Sequence, residues 1–297
     1  FRPNPPRTMA LATIVGLFLG IGLVLGLDLL DQTIRSPDQV EQYTGLETLT
    51  VLPKMTEENK RVLRESFQSL RTAVMLAARG DECHVVMVAS ALPEEGKTTT
   101  AFNLAKVFAT TGSKVLLIDA DLRKPRLHRM INAKNVRGLT SVVLGERTAS
   151  EVIHRMPDLP DLDLMTSGPL PPNPPELFGK LSFKKLLDEA REVYDWVFID
   201  TPPVAMVTDP VICASNVEIC LMVVQYASTK REIVRDSVRL LARTGTRIAG
   251  VVLNKDEMDK DRHYYKAYYS YRRYGYYGDD PVKKPTVPTD AAGSKAG

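Results

Sequence analysis

The residues at 91–98, ALPEEGKT, have the types and spacing of a phosphate-binding loop, or P-loop. Gly96 allows close backbone approach, Lys97 can reach the β- and γ-phosphate oxygens of a nucleotide, and Thr98 can ligate Mg²⁺. The alternative is an ordinary strand-to-helix turn with an exposed Gly-Lys pair, but the apolar run before the loop and the helical pattern after it favour phosphate binding. The residues predicted to contact nucleotide are Ala91, Glu95, Gly96, Lys97, Thr98 and Thr99.

Two further apolar runs end in carboxylates. The run LLIDADLR contains Asp119 and Asp121, and the run WVFIDTPP contains Asp200. In doubly wound folds, such strands bring acids to Mg²⁺ and to the attacking group at one edge of the sheet. One acid can then hold the metal while another accepts a hydroxyl proton. A single strand-end Asp also occurs for turn chemistry alone, but three of them with a P-loop favour a catalytic site.

The elements that must position these residues alternate between short apolar runs and amphipathic stretches from residue 46 onward. This alternation is typical of a parallel sheet covered by helices. The predicted strands are Leu49–Leu52, His84–Ala89, Lys114–Asp119, Leu162–Thr166, Trp196–Asp200, Glu218–Val224 and Ile248–Leu253. The predicted helices are Glu57–Ala78, Lys97–Thr110, Phe183–Tyr194 and Arg231–Thr244. We predict an α/β fold of the P-loop NTPase class, with a doubly wound, mainly parallel sheet and helices on both faces.

The N-terminal residues 8–27 carry no charge between Arg7 and Asp28. As a helix, this stretch spans about 30 Å, the thickness of a bilayer core. We predict a transmembrane helix, because a signal peptide has a shorter apolar core and a small-residue cleavage site. The arginines alone favour an N-terminus inside the cell, but the nucleotide-binding domain that follows needs cytoplasmic ATP. The first residue is Phe1 rather than Met, so we expect further sequence before it.

The overall composition argues against several classes of protein. The chain has 297 residues, 44% hydrophobic and 25% charged, with a formal net charge of +3. These values exclude a wholly disordered chain and do not indicate a nucleic-acid coat, so we expect no nucleic-acid partner. The three cysteines have no CxxC spacing, and the four histidines are scattered. Neither a disulfide framework nor a zinc site is therefore expected.

The C-terminal region is rich in tyrosine. Eight of the eleven tyrosines are Tyr264, Tyr265, Tyr268, Tyr269, Tyr271, Tyr274, Tyr276 and Tyr277. The polar and glycine residues among them argue against a core strand, so these are accessible hydroxyl nucleophiles, and each phosphate added would bring about −1.5 to −2 charges. Such a segment could instead bind single-stranded nucleic acid or lie at a membrane interface. From Asp279 onward, the composition is typical of a disordered tail.

Together, these motifs resemble the bacterial tyrosine autokinases (BY-kinases) of capsule and exopolysaccharide systems. The resemblance covers nearly the whole chain and rests on the P-loop, on DADLRKP at 119–125, which resembles the family's Walker A′ motif, and on FIDTPP at 198–203. GPLPPNPPELF at 168–178, GVVLNK at 250–255 and the tyrosine cluster support it. Related partition and septum-site ATPases usually carry a signature lysine early in the P-loop, where this chain has Leu92. The chain looks like the C-terminal part of a fusion to a Wzz-type chain-length determinant.

The resemblance implies an ATP-dependent kinase that phosphorylates the tyrosine cluster of a neighbouring subunit in a ring, such as an octamer, which phosphorylation then loosens. The implied catalytic residues are Lys97, Asp119, Asp121 and Asp200, and the implied Mg²⁺ ligands are Thr98, Asp119 and Asp200. Asp121 would activate the tyrosine hydroxyl. Asn254 matches the position that contacts adenine in related folds, although an Asn that closes a strand also occurs in turns.

The resemblance also implies cofactors, partners and a location. The cofactors are ATP and Mg²⁺. The partners are further copies of the chain, the polysaccharide polymerisation and export machinery, a cognate tyrosine phosphatase and the bacterial inner membrane, with the kinase domain in the cytoplasm. The predicted segments are 1–8, the end of a periplasmic Pro-rich region; 9–30, the transmembrane helix; 31–56, a linker and first elements; 57–258, the kinase domain; and 259–297, the tyrosine-rich tail.

Two positions depart from the family pattern. The family's oligomerisation motif has a Glu followed by two Arg at three-residue intervals; Glu65 and Arg71 match it, but Gln68 stands at the first Arg. A neutral amide cannot make the bidentate charged contact of an Arg, so we expect a weaker ring or other contacts. Glu94 replaces a glycine, and at positive φ it would cost about 1–2 kcal/mol and repel phosphate. We therefore expect a lower ATP affinity.

Two other functions share most of these features. A non-catalytic ATP-dependent switch at the membrane would use the P-loop to control assembly, and its tyrosines would only bind a partner. A partition-type ATPase would release phosphate without forming phosphotyrosine. Phosphotyrosine on the tail that depends on Lys97 distinguishes the kinase from both.

Overall fold

The computed structural model of the chain describes residues 5–78 and 84–256. Its strands are β1 (Thr48–Pro53), β2 (His84–Ser90), β3 (Val115–Asp119), β4 (Ile153–Met156), β5 (Leu159–Met165), β6 (Trp196–Asp200), β7 (Ile219–Gln225) and β8 (Arg247–Asp256). Its helices are α1 (Pro5–Leu30), α2 (Pro37–Thr44), α3 (Lys60–Ala77), α4 (Lys97–Ala109), α5 (Leu127–Met130), α6 (Leu139–Val143), α7 (Ala149–Val152), α8 (Pro174–Phe178), α9 (Leu181–Val193), α10 (Asp209–Ala214) and α11 (Arg231–Ala242).

The strands of the described residues form one sheet in the order β1-β8-β7-β2-β6-β3-β5-β4. Neighbouring strands are parallel except for β4, which pairs with β5 antiparallel. Strands β2, β3, β6 and β7 are buried almost throughout, as expected of parallel strands covered on both faces. Strand order reverses around β2, and open α/β sheets bind ligands at the carboxyl ends of strands at such a point. The predicted mainly parallel α/β fold is confirmed.

Helix α4, which follows the P-loop, packs on one face of the sheet. Its Phe108 shares a buried cluster with Val86 and Val88 of β2. The Phe108 ring lies 4.5 Å from Trp196 and 5.3 Å from Phe198 of β6, measured between ring centroids. Helix α9 also packs against β2 and β6, but its buried residues lie outside this cluster. Because alternate residues of a strand point to opposite faces, helices cover the sheet on both sides.

The predicted strands and helices are all present, and their ends differ from the prediction by at most three residues. Strand β4 was missed because its sequence, IHRM, contains no apolar run; it forms by antiparallel pairing with β5 across a turn at 157–158. The short helices α2, α5 to α8 and α10 were also missed. They have four to eight residues, too few to show a helical period.

Two predictions concern the ends of the chain. Helix α1 contains the apolar N-terminal stretch, but no helix in the described part of the chain is both long and apolar enough to span a membrane. The structure therefore does not support the predicted transmembrane helix at 9–30. The predicted tyrosine-rich tail at 259–297 lies outside the described residues.

Candidate active site

The P-loop contains two residues with positive φ. Gly96, at φ 95°, is the N-cap of α4, and a Cβ there would overlap the side-chain amide of Asn254. Glu94 has φ 65°, which confirms the left-handed conformation predicted for this non-glycine residue, at a cost of about 1–2 kcal/mol. The Glu94 carboxylate lies 3.5 Å from the Arg126 guanidinium, and both side chains are largely exposed. This ion pair is too exposed to offset the strain by much.

Helix α4 begins at Lys97, directly after the P-loop. The first N–H groups of a helix have no partner within it, and together with the helix dipole they form a favourable site for phosphate. Lys97 and Thr98 of this first turn are nearly buried, whereas Thr99 is exposed. The P-loop also meets the segment after β6, because the Ala205 N–H donates to the Ala91 carbonyl at 3.1 Å.

Asp119 and Asp200 end the neighbouring strands β3 and β6 and lie opposite each other in the sheet register. Val88 of β2, just before the P-loop, is in turn the register partner of Asp200. Both carboxylates are buried. The structure thus brings together the P-loop and the two strand-end acids that the sequence analysis singled out.

Lys97 and Asp121 form a buried ion pair at this edge. The distance from Lys97 Nζ to Asp121 Oδ2 is 2.9 Å, and the two side chains are 11% and 5% exposed. The other Asp121 oxygen accepts the N–H groups of Arg123 and Lys124 at 3.3 and 2.9 Å. Burial alone lowers the pKa of Lys97, but the charges of Asp200 and Asp121 outweigh burial and raise that pKa above its ordinary value. Lys97 is therefore firmly protonated.

Asp119 organises the loop that carries Asp121. Its Oδ2 accepts the N–H groups of Leu127 and Arg126 at 2.9 and 3.1 Å, and its Oδ1 accepts the N–H of Asp121 at 3.2 Å. Burial, with the charge of Asp200, raises the pKa of Asp119 to about 8. Both oxygens of this carboxylate are thus engaged by backbone.

Asp200 has different surroundings. Among the described residues, no donor lies in hydrogen-bonding geometry with either of its carboxylate oxygens, although both are buried and the Thr98 hydroxyl is close enough to lower the pKa of Asp200. Burial raises the pKa of Asp200 to about 6, while the nearby Lys97 charge lowers it. A buried carboxylate without partners is costly unless a cation compensates it. Asp200 therefore has the surroundings expected of a cation ligand.

The site's donors fit Mg²⁺ rather than a metal held by protein alone. No cluster of three or more His, Cys, Asp or Glu able to hold a metal occurs in the described ranges. Mg²⁺ usually takes one or two protein oxygens and completes its octahedron with phosphate and water. Asp200 and the Thr98 hydroxyl would be those protein ligands. Asp119, the third predicted ligand, has three of its roughly four lone-pair sites occupied by backbone donors.

Glu95 lies inside the P-loop but turns away from a phosphate site. Its buried carboxylate accepts the N–H groups of Leu92 at 2.6 Å and Gln225 at 3.2 Å, and the Thr229 hydroxyl at 2.5 Å. Burial raises the pKa of Glu95, and these hydrogen bonds oppose that effect. Glu95 thus ties the P-loop to the end of β7. The nucleotide contact predicted for it stays a prediction.

Asn254 also contacts the P-loop backbone. Its side-chain amide donates to the Glu95 carbonyl at 2.7 Å. Lys255 reaches the same loop, because its ammonium donates to the Glu94 carbonyl at 2.5 Å. The end of β8 therefore holds the P-loop from the side, and an adenine contact from Asn254 stays a prediction.

The two arginines of the basic run after Asp121 are both paired. Arg123 makes two hydrogen bonds to the fully buried Asp209, at 2.8 and 2.9 Å, and this bidentate contact raises the pKa of Arg123. Arg126 pairs with Glu94, as described above. The sequence analysis missed Asp209, and the available signal was the Asp-Pro pair that begins α10. It missed Thr229 and Gln225 as well, whose partner Glu95 is more than 100 residues away.

The residues of the predicted oligomerisation motif lie on α3. Glu65 pairs with Arg61 at 3.1 Å on the exposed surface. Arg71 is half-buried and lies over the Phe108 ring, 5.4 Å from its centroid. The predicted phosphorylation sites, Tyr264 to Tyr277, lie outside the described residues.

Comparison with known proteins identifies the family. Residues 85–239 match a family model described as an AAA domain. The tyrosine-protein kinase YwqD of Bacillus subtilis is 38% identical over 221 residues, which cover 74% of this chain and 89% of YwqD. The chain belongs to the bacterial tyrosine-protein kinase family. The resemblance found in the sequence is therefore confirmed, and kinase is the enzyme class that the comparisons support over the ATP-switch alternative.

Two further members extend this result. EpsB of Ralstonia nicotianae is 32% identical over 311 residues, which cover 98% of this kinase but 41% of EpsB. The kinase domain of the Escherichia coli tyrosine kinase ETK has a TM-score of 0.72 at 28% identity, over 78% of this chain and 98% of that structure. The chain thus spans most of YwqD and about two fifths of EpsB.

Proposed function

We propose that this kinase transfers the γ-phosphoryl group of ATP to tyrosine hydroxyls in the tail of a neighbouring copy, at Tyr264, Tyr265, Tyr268, Tyr269, Tyr271, Tyr274, Tyr276 and Tyr277. The observation that carries this proposal is the buried Lys97–Asp121 pair beside the P-loop. The pair places a phosphate-binding cation beside a proton acceptor, and these are two groups that phosphoryl transfer to a hydroxyl uses.

Lys97 would change partners when nucleotide binds. In the structure its ammonium neutralises Asp121 Oδ2. With ATP in the P-loop, the β- and γ-phosphate oxygens compete for that ammonium, and Asp121 Oδ2 becomes free to accept a proton. Asp121 keeps its position meanwhile, because the N–H groups of Arg123 and Lys124 still hold Oδ1. Nucleotide binding itself would thus activate the base.

The transfer step then balances. The tyrosine hydroxyl gives its proton to Asp121 Oδ2, its oxygen forms a bond to the γ-phosphorus, and the bond from that phosphorus to the β-bridging oxygen breaks to give ADP. Lys97 stabilises the charge that develops on the phosphate oxygens. When bound at Asp200 and Thr98, with or without Asp119, Mg²⁺ would neutralise further phosphate charge.

We also propose where the kinase acts and with which partners. A tyrosine cluster that inverts its charge on phosphorylation, together with the family resemblance, supports a reversible assembly of several copies, reset by a cognate phosphatase. We place this assembly at the cytoplasmic face of the bacterial inner membrane, beside the polysaccharide polymerisation and export machinery. The ring size, the octamer included, belongs to this proposal.

The test is tail phosphorylation by the dephosphorylated chain with ATP and Mg²⁺. Anti-phosphotyrosine detection and mass spectrometry would compare the wild type with Lys97→Met and Asp121→Asn. The matched control is Lys184→Met, an exposed lysine on α9. We expect phosphate on Tyr264 to Tyr277 in the wild type and control, and none in the two site variants. An unmodified wild-type tail despite ATP binding would overturn the kinase and leave the ATP-dependent switch.

A further inference from the structure

Arg126 lies in the loop after β3, at the edge of the sheet that carries the P-loop. Its backbone N–H donates to Asp119 Oδ2 at 3.1 Å, so the loop is held at this residue. Its side chain extends to the P-loop, where the guanidinium lies 3.5 Å from the Glu94 carboxylate. The backbone of Arg126 is therefore fixed beside a strand-end acid, and its charged group lies against the P-loop.

The charge of Arg126 also acts on the interior of the site. Burial raises the pKa of Asp200, and the charges of Lys97 and Arg126 are among the effects that lower it. Because the interaction between charges falls with distance, the Arg126 guanidinium lies near the acid that is proposed to hold Mg²⁺. A γ-phosphoryl group bound between the P-loop and Asp200 would therefore lie close to both cations.

Arg123 and Arg126 differ in how firmly their side chains are held. The Arg123 guanidinium makes two hydrogen bonds to the fully buried Asp209, at 2.8 and 2.9 Å. Among the described residues, the Arg126 guanidinium contacts one carboxylate, that of Glu94, and the two side chains are 55% and 75% exposed. Exposed ion pairs contribute little stability. Arg126 can therefore exchange its partner at small cost, whereas Arg123 cannot.

A γ-phosphoryl group would be a stronger partner for Arg126 than Glu94 is. Its oxygens accept the planar arginine fork in a bidentate, charge-assisted contact. Water solvates the exposed Glu94 carboxylate once the guanidinium leaves it. The P-loop itself supplies one cation, Lys97, since Leu92 stands where related partition and septum-site ATPases usually carry a lysine. The site therefore has room for a second phosphate-binding cation.

We propose that Arg126 exchanges Glu94 for the γ-phosphoryl group when ATP binds, and so acts as a second catalytic cation beside Lys97. This inference rests on the proposed function and names a further group at the same site. Arg126 neither gives nor takes a proton; it stabilises the charge that develops on the γ-phosphate oxygens during transfer. ADP lacks these oxygens, so Arg126 returns to Glu94 after transfer. The exchange would thus distinguish ATP from ADP.

The test compares the affinities of the full, dephosphorylated chain for ADP and for the β,γ-imido analogue of ATP, both with Mg²⁺, by isothermal titration calorimetry. Arg126→Gln should weaken analogue binding by about five- to tenfold and change ADP binding by less than about twofold. Tail phosphorylation at saturating ATP should fall by about 10- to 100-fold. Arg126→Lys keeps the charge and should recover part of both losses. The control is Arg129→Gln, an exposed arginine on α5, which should change none of these values.

A second variant tests the exchange of partners. Glu94→Gln removes the carboxylate that competes with the γ-phosphoryl group, and it keeps the length of the side chain. We expect the affinity for the analogue to rise by about twofold or more, with a smaller rise for ADP. An unchanged affinity for the analogue in this variant would overturn the exchange.

Two results with Arg126→Gln would overturn the phosphate contact. Equal losses of analogue and ADP affinity would show a general effect of charge on the site. An unchanged affinity for the analogue would do so even if phosphorylation slows, because Arg126 also belongs to the loop that Asp119 holds. Nucleotide binding requires no transfer to tyrosine, so failure here is distinct from failure of the proposed function. A preference for the analogue that depends on Arg126, in a chain that forms no phosphotyrosine, would refute the proposed function and support the contact.

Discussion

Asp119 and Asp200 come from the same sequence pattern, an apolar strand that ends in Asp, but have opposite surroundings. They are register partners at the end of adjacent strands, and both are buried. Asp119 accepts three backbone N–H groups, whereas Asp200 accepts none from the described residues. One carboxylate is therefore used to build the loop that carries Asp121, and the other remains available to a cation. Burial and position alone do not distinguish a structural acid from a ligand; the count of donors does.

The largest expected effect comes from Asp200→Asn. We expect phosphoryl transfer to fall by about 10²–10³-fold, because a ligand for Mg²⁺ and its charge are lost. We expect the melting temperature without nucleotide to stay the same or rise, because a buried carboxylate without hydrogen bonds of normal geometry is removed. Tail phosphorylation and thermal unfolding would measure these two effects.

The control for Asp200→Asn is Asp195→Asn, just before the first residue of the same strand. Asp195 is exposed and accepts the Lys114 N–H at 2.7 Å. We expect it to leave phosphoryl transfer unchanged. A clear loss of stability in Asp200→Asn without nucleotide would contradict the distinction drawn between the two acids.

Asp119→Asn should instead lower the stability of the folded chain. The amide keeps one acceptor oxygen and loses the other, so that the backbone N–H of Asp121, or those of Arg126 and Leu127, lose their acceptor. We expect the free energy of unfolding to fall by about 2 kcal/mol. Urea denaturation would measure this loss, and a variant as stable as the wild type would show that these hydrogen bonds contribute little.

Added nucleotide should further distinguish the role of Asp119 from that of Asp200. In the wild type, ADP with Mg²⁺ should raise the melting temperature, and the increase should grow with the logarithm of its affinity. We expect Asp119→Asn to start lower but keep most of that increase, and Asp200→Asn to lose most of the part that depends on Mg²⁺. Thermal shift with ADP, with and without EDTA, would measure both. Loss of the Mg²⁺-dependent increase in both variants would mean that both acids hold the ion.

The smallest effect is expected at Glu94, a residue with strained backbone in the P-loop, at the same edge of the sheet as Asp119 and Asp200. Glu94→Gly should stabilise the chain by about 1 kcal/mol, because glycine adopts positive φ freely but is also freer when unfolded. ATP affinity should rise as a negative charge leaves the loop. The control is Asn132→Gly, also at positive φ (51°) but outside the P-loop, which should leave ATP affinity unchanged. Equal ATP binding by Glu94→Gly and the wild type would contradict the expected repulsion.

The local parts of this molecule could be predicted from its sequence. Apolar runs end at or shortly before Gly96-Lys97-Thr98, Asp119 and Asp200. Their position relative to these runs predicted that they lie at one edge of the sheet. The strain at Glu94 was also predictable, because it stands where glycine is usual. These features depend on residues that are close in the sequence. Hydrophobic periodicity and motif spacing are patterns of such residues.

The remaining parts depend on partners that are distant in the sequence. Thr229 donates to Glu95 across 134 residues, and Arg123 pairs with Asp209 across 86. No spacing rule links such pairs, so neither the partner of Glu95 nor that of Arg123 could be predicted from the sequence. Strand β4 was missed for a related reason, because its pairing with β5 rather than its own apolar content makes it a strand.

Because Asn254 anchors the P-loop, the nucleotide site depends on a residue that is synthesised long after the loop itself. The loop at 91–98 is synthesised early, but its lateral supports are Gln225, Thr229 and Asn254. Strand β1, earlier still, pairs with β8 near the end of the described chain. Contacts of such long sequence separation form slowly. A nascent chain cannot complete its nucleotide site until β8 has left the ribosome, so an incomplete kinase lacks a finished P-loop.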